Sequence, residues 1–254
     1  MFEQFGLFFI SLVANLLSAL AGGGAGLLQL PALLFLGLPF GVALATHKVA
    51  TVFLGLGATA RHLKHSTLDW RFSLFILALG LPGVVLGSNV ILQVHEVYAT
   101  LALGVLTLSL GIYSWRQPTL GLTTVPHHRQ GPGLLIGGSV ILVIGVLNGS
   151  LTSGTGLFVT IWLVRWFGLD YKTAVAYTLV LVGIFWNGAG AITLGILGDI
   201  QWSWLPALIL GSLIGGYLGA HLAIVKGNRL VKRAFELLTV AVGLGLIYQA
   251  WTIG

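Results

Sequence analysis

The stretch that decides the fold is Ala21-Gly22-Gly23-Gly24-Ala25-Gly26, which interrupts an apolar run that begins near residue 3. A second interruption, Asn148-Gly149-Ser150-Leu151-Thr152-Ser153-Gly154-Thr155-Gly156, follows about 130 positions later. The apolar segments after the two breaks, 26–38 and 156–167, are short against the roughly 20 residues that a helix needs to cross a bilayer. Paired, glycine-broken short segments at corresponding places in two halves mark candidate binding sites in membrane proteins.

Composition places this chain in lipid. Only 7% of its 254 residues are charged and 57% are apolar, so most of the outer surface must be apolar as well. The absence of cysteine excludes disulfides and thiolate metal sites. The apolar runs are continuous rather than alternating, which favours helices over a barrel and predicts an all-α polytopic membrane protein. Ten helical segments are predicted, at 3–20, 26–38, 44–60, 72–92, 97–115, 133–150, 156–167, 174–195, 203–225 and 234–252.

The chain reads as two related halves. We therefore predict a first transmembrane repeat at 1–117, a cytoplasmic connector at 118–132 and a second repeat at 133–254. The series of matches is collinear, with a drift of one or two residues. It pairs Gly24, Gly26 and Leu27 with Gly154, Gly156 and Leu157; Gly37-Leu38 with Gly168-Leu169; Ala43 and Ala45 with Ala174 and Ala176; Gly57, Ala58 and Ala60 with Gly188, Ala189 and Ala191; Gly80 with Gly211; and Trp70, Gly83, Leu86 and Gly87 with Trp202, Gly215, Leu218 and Gly219.

The distribution of basic residues predicts the topology, because Lys and Arg near segment ends favour the cytoplasmic side. With five segments in each half and both termini outside, eleven of the twelve basic residues lie inside and the second half is inverted. A model with four spans in each half divides the same charges between the two sides. The first two segments of each half either cross fully or form re-entrant hairpins. The inside set is Arg61, Lys64, Arg71, Arg116, Arg129, Arg165, Lys172, Lys226, Arg229, Lys232 and Arg233.

The two breaks suit an anion. Helices that begin at Leu27 and Leu157 would leave their first N–H groups unpaired and carry about half a positive charge there. Glycine lets an oxyanion approach the backbone, and Ser153 and Thr155 can donate hydrogen bonds. Two such ends, meeting near the membrane midplane, would face one small multivalent anion. The glycines Gly57, Gly83, Gly87, Gly215 and Gly219 are instead expected to serve close helix packing.

Lys48 is the one basic residue outside the predicted inside set, and it either pairs with the anion or reaches the outer interface with its amine. His47 either titrates and couples protons or stays a neutral hydrogen-bonded side chain. Hydroxyls such as that of Thr51 are expected to bond back to their own helix, whereas an amide satisfies itself less easily. The predicted binding residues are Gly22, Gly23, Gly24, Gly26, Thr46, His47, Lys48, Asn148, Thr152, Ser153, Gly154, Thr155, Gly156 and Asn187.

In these features the chain resembles the TauE/SafE sulfite-exporter-like family, also called the toluene-sulfonate uptake permeases. The resemblance covers essentially the whole chain and rests on Ala21–Gly37, Ala43–Val49, Leu68–Arg71 and the echo Thr173–Thr178. It implies a secondary carrier of small sulfur-containing or organic anions such as sulfite, thiosulfate, sulfonates or sulfoacetate. Many relatives have Thr-Asn-Lys where this chain has Thr46-His47-Lys48, and the second break lacks a run of three glycines.

Other functions remain as alternatives. A passive anion channel, or a carrier of another small organic carboxylate, would share these features. An intramembrane hydrolase using Ser150 or Ser153 would need buried acids, yet all six acidic residues are expected at segment ends or in loops, so no enzyme, cofactor or metal site is predicted. The expected partners are the anion, a coupling proton or sodium ion, membrane lipid and a second copy in a homodimer, without nucleic acid. The expected location is a bacterial or archaeal inner membrane.

Overall fold

The computed structural model describes residues 2–62, 68–90, 96–151 and 154–253, which form helices and their connections, with no strand among them. The α-helices are α1 Phe2–Ala21, α2 Gln29–Phe35, α3 Phe40–His62, α4 Trp70–Val90, α5 Glu96–Trp115, α6 Gly131–Ser150, α7 Thr155–Arg165, α8 Tyr171–Tyr177, α9 Asn187–Leu197, α10 Leu205–Lys226 and α11 Asn228–Ile253. Short 3₁₀ turns occupy Ala25–Leu27 and Trp202–Trp204, and a π-helical segment, Thr178–Trp186, joins α8 to α9.

Six helices in the described residues are long and apolar enough to cross a membrane. They confirm the predicted all-α polytopic membrane protein. Helices α2 and α7 have 7 and 11 residues. At about 1.5 Å of rise per residue they are too short to cross the hydrocarbon, so each returns only part of the way. The helices that meet both criteria, length and apolar composition, are Glu3–Ala21, Phe40–His62, Trp70–Val90, Gly131–Ser150, Tyr171–Leu197 and Trp202–Lys226.

The predicted start of the last helix is wrong in a way that matters. Helix α11 begins at Asn228 rather than near 234, so the basic residues Lys232 and Arg233 are helical and not in a loop. Glu236 therefore lies inside a helix rather than at its end, where its Oε1 is 2.5 Å from the Nζ of Lys232. The charged residues at the start of this helix resemble a loop in the sequence. In the helix, Lys232 and Glu236 are four residues apart and pair on one face, which stabilises the helical form.

The helices pack mainly between the two halves. Helix α1 runs along α10, and α6 runs along α4. The first helix of each predicted half therefore packs against a helix of the other half. Helix α3 packs against the π segment and α9, and α5 packs against α11. This exchange pattern agrees with two related halves, whereas their orientation across a membrane stays a prediction.

Glycine allows these close approaches. A Cβ on Gly215 would lie 2.5 Å from the carbonyl oxygen of Leu12 on α1, and Gly83 faces the backbone of Leu142 on α6 in the same way. The remaining glycines predicted to pack, Gly57, Gly87 and Gly219, each meet the backbone of a neighbouring helix. The small residues therefore let helix backbones approach closely, which is how helices associate in lipid.

Asp170 caps the amino end of α8 and ties it to the connector. Its carboxylate accepts hydrogen bonds from the backbone N–H of Thr173 at 3.0 Å, from the Thr173 hydroxyl at 2.7 Å and from the Thr124 hydroxyl. Burial alone would raise the pKa of this carboxyl, but the three hydrogen bonds and the charge of Lys172 outweigh it and lower the pKa below 3.8. The ionised cap therefore stabilises the start of the long broken helix that borders the site.

Candidate functional site

The two glycine-rich breaks lie against each other. A Cβ on Gly23 would come within 2.5 Å of the carbonyl carbon of Gly156, and the hydroxyl of Thr160 on α7 donates to the carbonyl oxygen of Gly22 at 2.6 Å. Gly23 has φ +137 and Gly22 has φ +85, values that side chains rarely adopt. Only glycine satisfies both the dihedrals and the close contact, so the sequence of the first break fixes how the hairpins meet.

A small cavity of about 40 Å³ lies where the breaks meet. At about 10–15 Å³ for each water, it has room for roughly three waters or one compact ion. No carboxylate or metal-ligand cluster borders it within the described residues. Its lining comes from both breaks and from α1, α3, α6, the π segment and α9: Ser18, Gly23, Gly24, Ala25, Gly26, His47, Thr51, Leu54, Asn148, Thr155, Gly156, Thr178, Leu179, Val182, Gly183 and Asn187.

The two breaks are not equivalent. In the second half α7 starts directly at the break, with Gly154 at φ +74 as its N-cap and Thr155 and Gly156 facing the cavity. In the first half the predicted helix at Leu27 is replaced by a 3₁₀ turn followed by the seven-residue α2. Because a helix dipole needs several aligned peptide units, α7 supplies the stronger positive end. The expectation of two matched helix ends is therefore wrong for the first half.

Lys48 provides a buried cation next to this cavity. Its side chain is fully buried, and its Nζ donates to the main-chain oxygen of Asn148 at 2.9 Å and to the Oδ1 of Asn148 at 3.2 Å. A Cβ on Gly190 would lie 2.9 Å from that Nζ, so the glycine leaves space for the ammonium group. Within the described residues no carboxylate pairs with Lys48. Its two bonds to Asn148 keep the amine inside the helix bundle.

The depth of Lys48 follows from where α3 begins. The helix starts at Phe40 rather than near 44, which places Lys48 eight residues, about 12 Å, from the start of a 23-residue helix. Asn148 lines the cavity. The amine of Lys48, which lies beside Gly190 of α9, donates a hydrogen bond to Asn148. The lysine thus adds positive potential to the site while Asn148 stands between its ammonium group and the cavity.

His47 belongs to a buried polar chain. Its Nδ1 lies 2.7 Å from the Oε1 of Gln29, whose Nε2 donates to the hydroxyl of Ser11 at 3.0 Å. The second half has hydroxyls at the corresponding positions, where Thr160 and Thr178 lie 2.9 Å apart. Both pairs are separated by 18 residues in sequence and the two pairs by 131, which is close to the spacing of the predicted repeat.

Two buried polar atoms on the cavity wall have no hydrogen-bond partner within the described residues. They are the Oγ of Ser18 and the Oδ1 of Asn187. A buried polar group without a partner costs about 1–3 kcal/mol, so these two atoms have hydrogen-bonding capacity to offer to a water molecule or a polar ligand in the cavity. Ser18 was missed from the sequence, although it lies 130 positions before Asn148 and the repeat alone would have identified it.

The structure brings together most of the predicted binding residues. Eight of them line the cavity: Gly23, Gly24, Gly26, His47, Asn148, Thr155, Gly156 and Asn187. Gly22, Lys48 and Gly154 adjoin it through the contacts described above. Thr46 lies elsewhere, where its hydroxyl accepts from the backbone N–H of Gln201 at 2.9 Å. Thr152 and Ser153 lie outside the described residues. Thr51 bonds back to the carbonyl oxygen of His47 at 3.1 Å, as expected for a helix hydroxyl.

Long apolar helices around a polar cavity, which forms where two broken hairpins meet, define a multi-pass membrane transporter. The family profile described as Sulfite exporter TauE/SafE matches residues 7–246, so the chain belongs to that family of membrane transporters. No solved structure matches the chain.

Similar proteins carry the same general description. A probable membrane transporter protein of Haemophilus influenzae is 29% identical over 96% of this chain and 95% of its own length. The probable membrane transporter protein YfcA of Escherichia coli K12 is 25% identical over 96% of this chain and 89% of its own. The probable membrane transporter protein YunE of Bacillus subtilis is 23% identical, with 94% and 96% covered. The names of these relatives describe transport and not catalysis.

Proposed function

We propose that this protein is a secondary carrier of small sulfur-containing oxyanions, such as sulfite or thiosulfate, in a bacterial or archaeal inner membrane. The anion occupies the cavity between the two breaks, and the halves rock about it so that the site opens to one side at a time. The observation that carries the proposal is the fully buried Lys48 without a carboxylate partner in the described chain. Buried charges in proteins are paired, and an anion in the neighbouring cavity supplies the missing partner.

Three further features support an oxyanion. The positive end of α7 faces the cavity, the glycines remove side chains from its wall, and Ser18 and Asn187 have unused hydrogen-bonding capacity. The cavity volume of about 40 Å³ favours a compact ion over an arenesulfonate, which would need the wall to move. The family description names sulfite, which agrees with this size.

Both termini are proposed to lie outside, because that orientation places the basic loops on the cytoplasmic side. The alternatives are a passive channel through the same cavity and a carrier of another small carboxylate. A membrane-impermeant label on a cysteine introduced near either terminus tests the orientation. Labelling from outside intact cells supports the proposed topology, and protection from the label contradicts it.

The binding proposal is tested by thermal unfolding of the purified protein with sulfite, thiosulfate, sulfonates and carboxylates, followed by uptake in proteoliposomes. A sulfur oxyanion should raise the unfolding temperature more than a carboxylate of similar size. Gly24→Val and Gly154→Val should abolish uptake while folded protein stays in the membrane, because valine is strained at φ +97 and φ +74. Normal uptake by both variants would place the site elsewhere.

A further inference from the structure

The orientation of the Gln29 amide is fixed by its neighbours. The hydroxyl of Ser11 lies 2.6 Å from the carbonyl oxygen of Leu208, which can only accept, so the single hydroxyl hydrogen of Ser11 is donated there. The Ser11 oxygen then accepts a hydrogen bond from Gln29. The group that faces it at 3.0 Å must therefore be the amide nitrogen Nε2, which carries hydrogens. The Oε1 of Gln29 consequently points at His47.

This orientation fixes the protonation of the His47 ring. The Oε1 of Gln29 can only accept, so the Nδ1 of His47 at 2.7 Å carries a hydrogen. In a neutral ring the other nitrogen, Nε2, then holds a lone pair. His47 is buried and its ring lines the cavity. The hydrogen-bond chain thus reserves Nε2 as the one nitrogen of the ring able to take up a proton.

Whether the Nε2 of His47 takes up a proton depends on the charges around it. Lys48, the next residue on α3, is the one charged group near it among the residues that the structure describes. The elements packed against it present Ser18 from α1, Asn148 from α6, Thr155 from α7, Thr178 from the π segment and Asn187 from α9, none of which is charged. With the cavity empty, burial and Lys48 oppose a second positive charge. An anion in the cavity reverses the balance, because it attracts both cations.

We propose that His47 Nε2 binds the proton that is carried together with the anion, so that the protein is a proton–anion symporter. A proton from water on the entry side forms the Nε2–H bond while the anion is bound, and that bond breaks on the exit side, which returns the ring to its neutral form. Each ligand increases the affinity for the other, since their linkage is reciprocal. This inference rests on the proposed function and names its coupling ion.

The second half has no histidine at the position that corresponds to His47. The residues that correspond to Gln29 and His47 are Thr160 and Thr178, whose hydroxyls do not titrate at physiological pH. About one proton is therefore expected for each anion. For a divalent anion, the two positive charges of Lys48 and protonated His47 balance the charge within the site.

His47→Asn is the variant that separates proton binding from anion binding. An asparagine amide can donate to Gln29 as Nδ1 does, but it has no nitrogen lone pair that takes up a proton. His62→Asn is the matched control, since His62 is a buried histidine on the same helix that does not line the cavity. Each protein is reconstituted into vesicles with a trapped pH-sensitive dye. Thiosulfate is the probe, because it does not itself titrate near neutral pH.

The wild-type protein and His62→Asn should accumulate thiosulfate when the outside is made acidic, and the dye should report protons entering with it. His47→Asn should lose accumulation driven by the pH gradient, and any exchange of external for internal thiosulfate that it retains should no longer depend on pH. Gradient-driven accumulation by His47→Asn that equals the wild type would overturn the role of His47. Exchange by the wild type without any response to the gradient would overturn symport while leaving anion transport intact.

A wild-type protein that exchanges none of the tested anions refutes the proposed function, and the proton proposal with it. A measurement on the wild type alone covers the case in which His47→Asn does not fold. Calorimetry of thiosulfate binding in two buffers of different ionisation enthalpy reports the protons taken up. About one proton for each bound anion supports the assignment, and none contradicts it.

Discussion

The ammonium group of Lys48 donates to both oxygens that Asn148 offers, to its main-chain oxygen at 2.9 Å and to its Oδ1 at 3.2 Å. The bonds join α3 of the first half to the end of α6 in the second half, across 100 positions of sequence. Because Asn148 also donates to the hydroxyl of Thr155 at 2.8 Å, one lysine fixes the residue that positions the amino end of α7. The positive elements of both halves are thereby held at one cavity.

Replacing Lys48 by methionine should weaken anion binding by about 10- to 100-fold, because the buried charge behind Asn148 is lost and Asn148 loses the group that positions it. Lys48→Arg should not restore binding, since the space beside Gly190 fits a compact ammonium group and not a guanidinium fork. Titration of thiosulfate by tryptophan fluorescence measures the effect. Lys226→Met, at the exposed end of α10, is the control and should bind normally. Wild-type affinity in Lys48→Met would remove the lysine from the site.

Gly23→Ala should abolish transport because a Cβ there meets the backbone of Gly156 at 2.5 Å. Gly37→Ala separates this contact from dihedral strain, since Gly37 also has a positive φ, +94, but nothing lies within 4 Å of its Cβ position. The control should lose about 1–2 kcal/mol of stability and retain uptake. Equal uptake rates in the two variants would show that the contact between the breaks has no functional role.

Ser18→Ala should lower anion affinity several-fold, by about the 0.5–1.5 kcal/mol of one hydrogen bond, without lowering the unfolding temperature. The hydroxyl has no partner in the described protein, so its removal costs the folded protein no contact. Thr59→Val is the matched control, because the Thr59 hydroxyl is also buried without a partner but does not border the cavity. Unchanged affinity in Ser18→Ala would indicate that the hydroxyl does not meet the ligand.

Asp170→Ala should destabilise the protein by about 1 kcal/mol through loss of a helix cap. The folded protein lowers the pKa of this carboxyl, so its contribution is complete above the unfolded value of 3.8 and is lost as the pH falls through the folded value. Thermal unfolding in detergent at neutral and strongly acidic pH measures both effects. The exposed Asp199 is the control, and Asp199→Ala should change little. A stability of Asp170→Ala equal to the wild type would contradict the capping role.

The sequence predicted the helical segments and the two breaks because both depend on local composition. Continuous apolar runs locate the spans, and glycine clusters locate the interruptions. Lys48 and Asn148 were recognisable since charged and amide groups are costly inside an apolar segment. The start of α11 was missed because its first turns carry charges that resemble a loop.

The contacts of the site were beyond a sequence pattern. The hydrogen bonds that orient His47 come from Gln29, 18 positions away, and that chain continues through Ser11 to Leu208, 197 positions further on. The π segment looks like any apolar helix, because nothing in residues 178–186 separates an i+5 from an i+4 pattern of hydrogen bonds. Such features depend on which helices pack together.

In the proposed function, a small anion binds in the cavity and crosses by alternating access. Counterflow of labelled thiosulfate in proteoliposomes tests it most directly, with the wild-type protein and Gly24→Val as the inactive comparison. Alternating access should give saturable uptake that is accelerated when the vesicles are preloaded with unlabelled thiosulfate. Flux that rises in proportion to concentration and ignores preloading would identify a channel and contradict it.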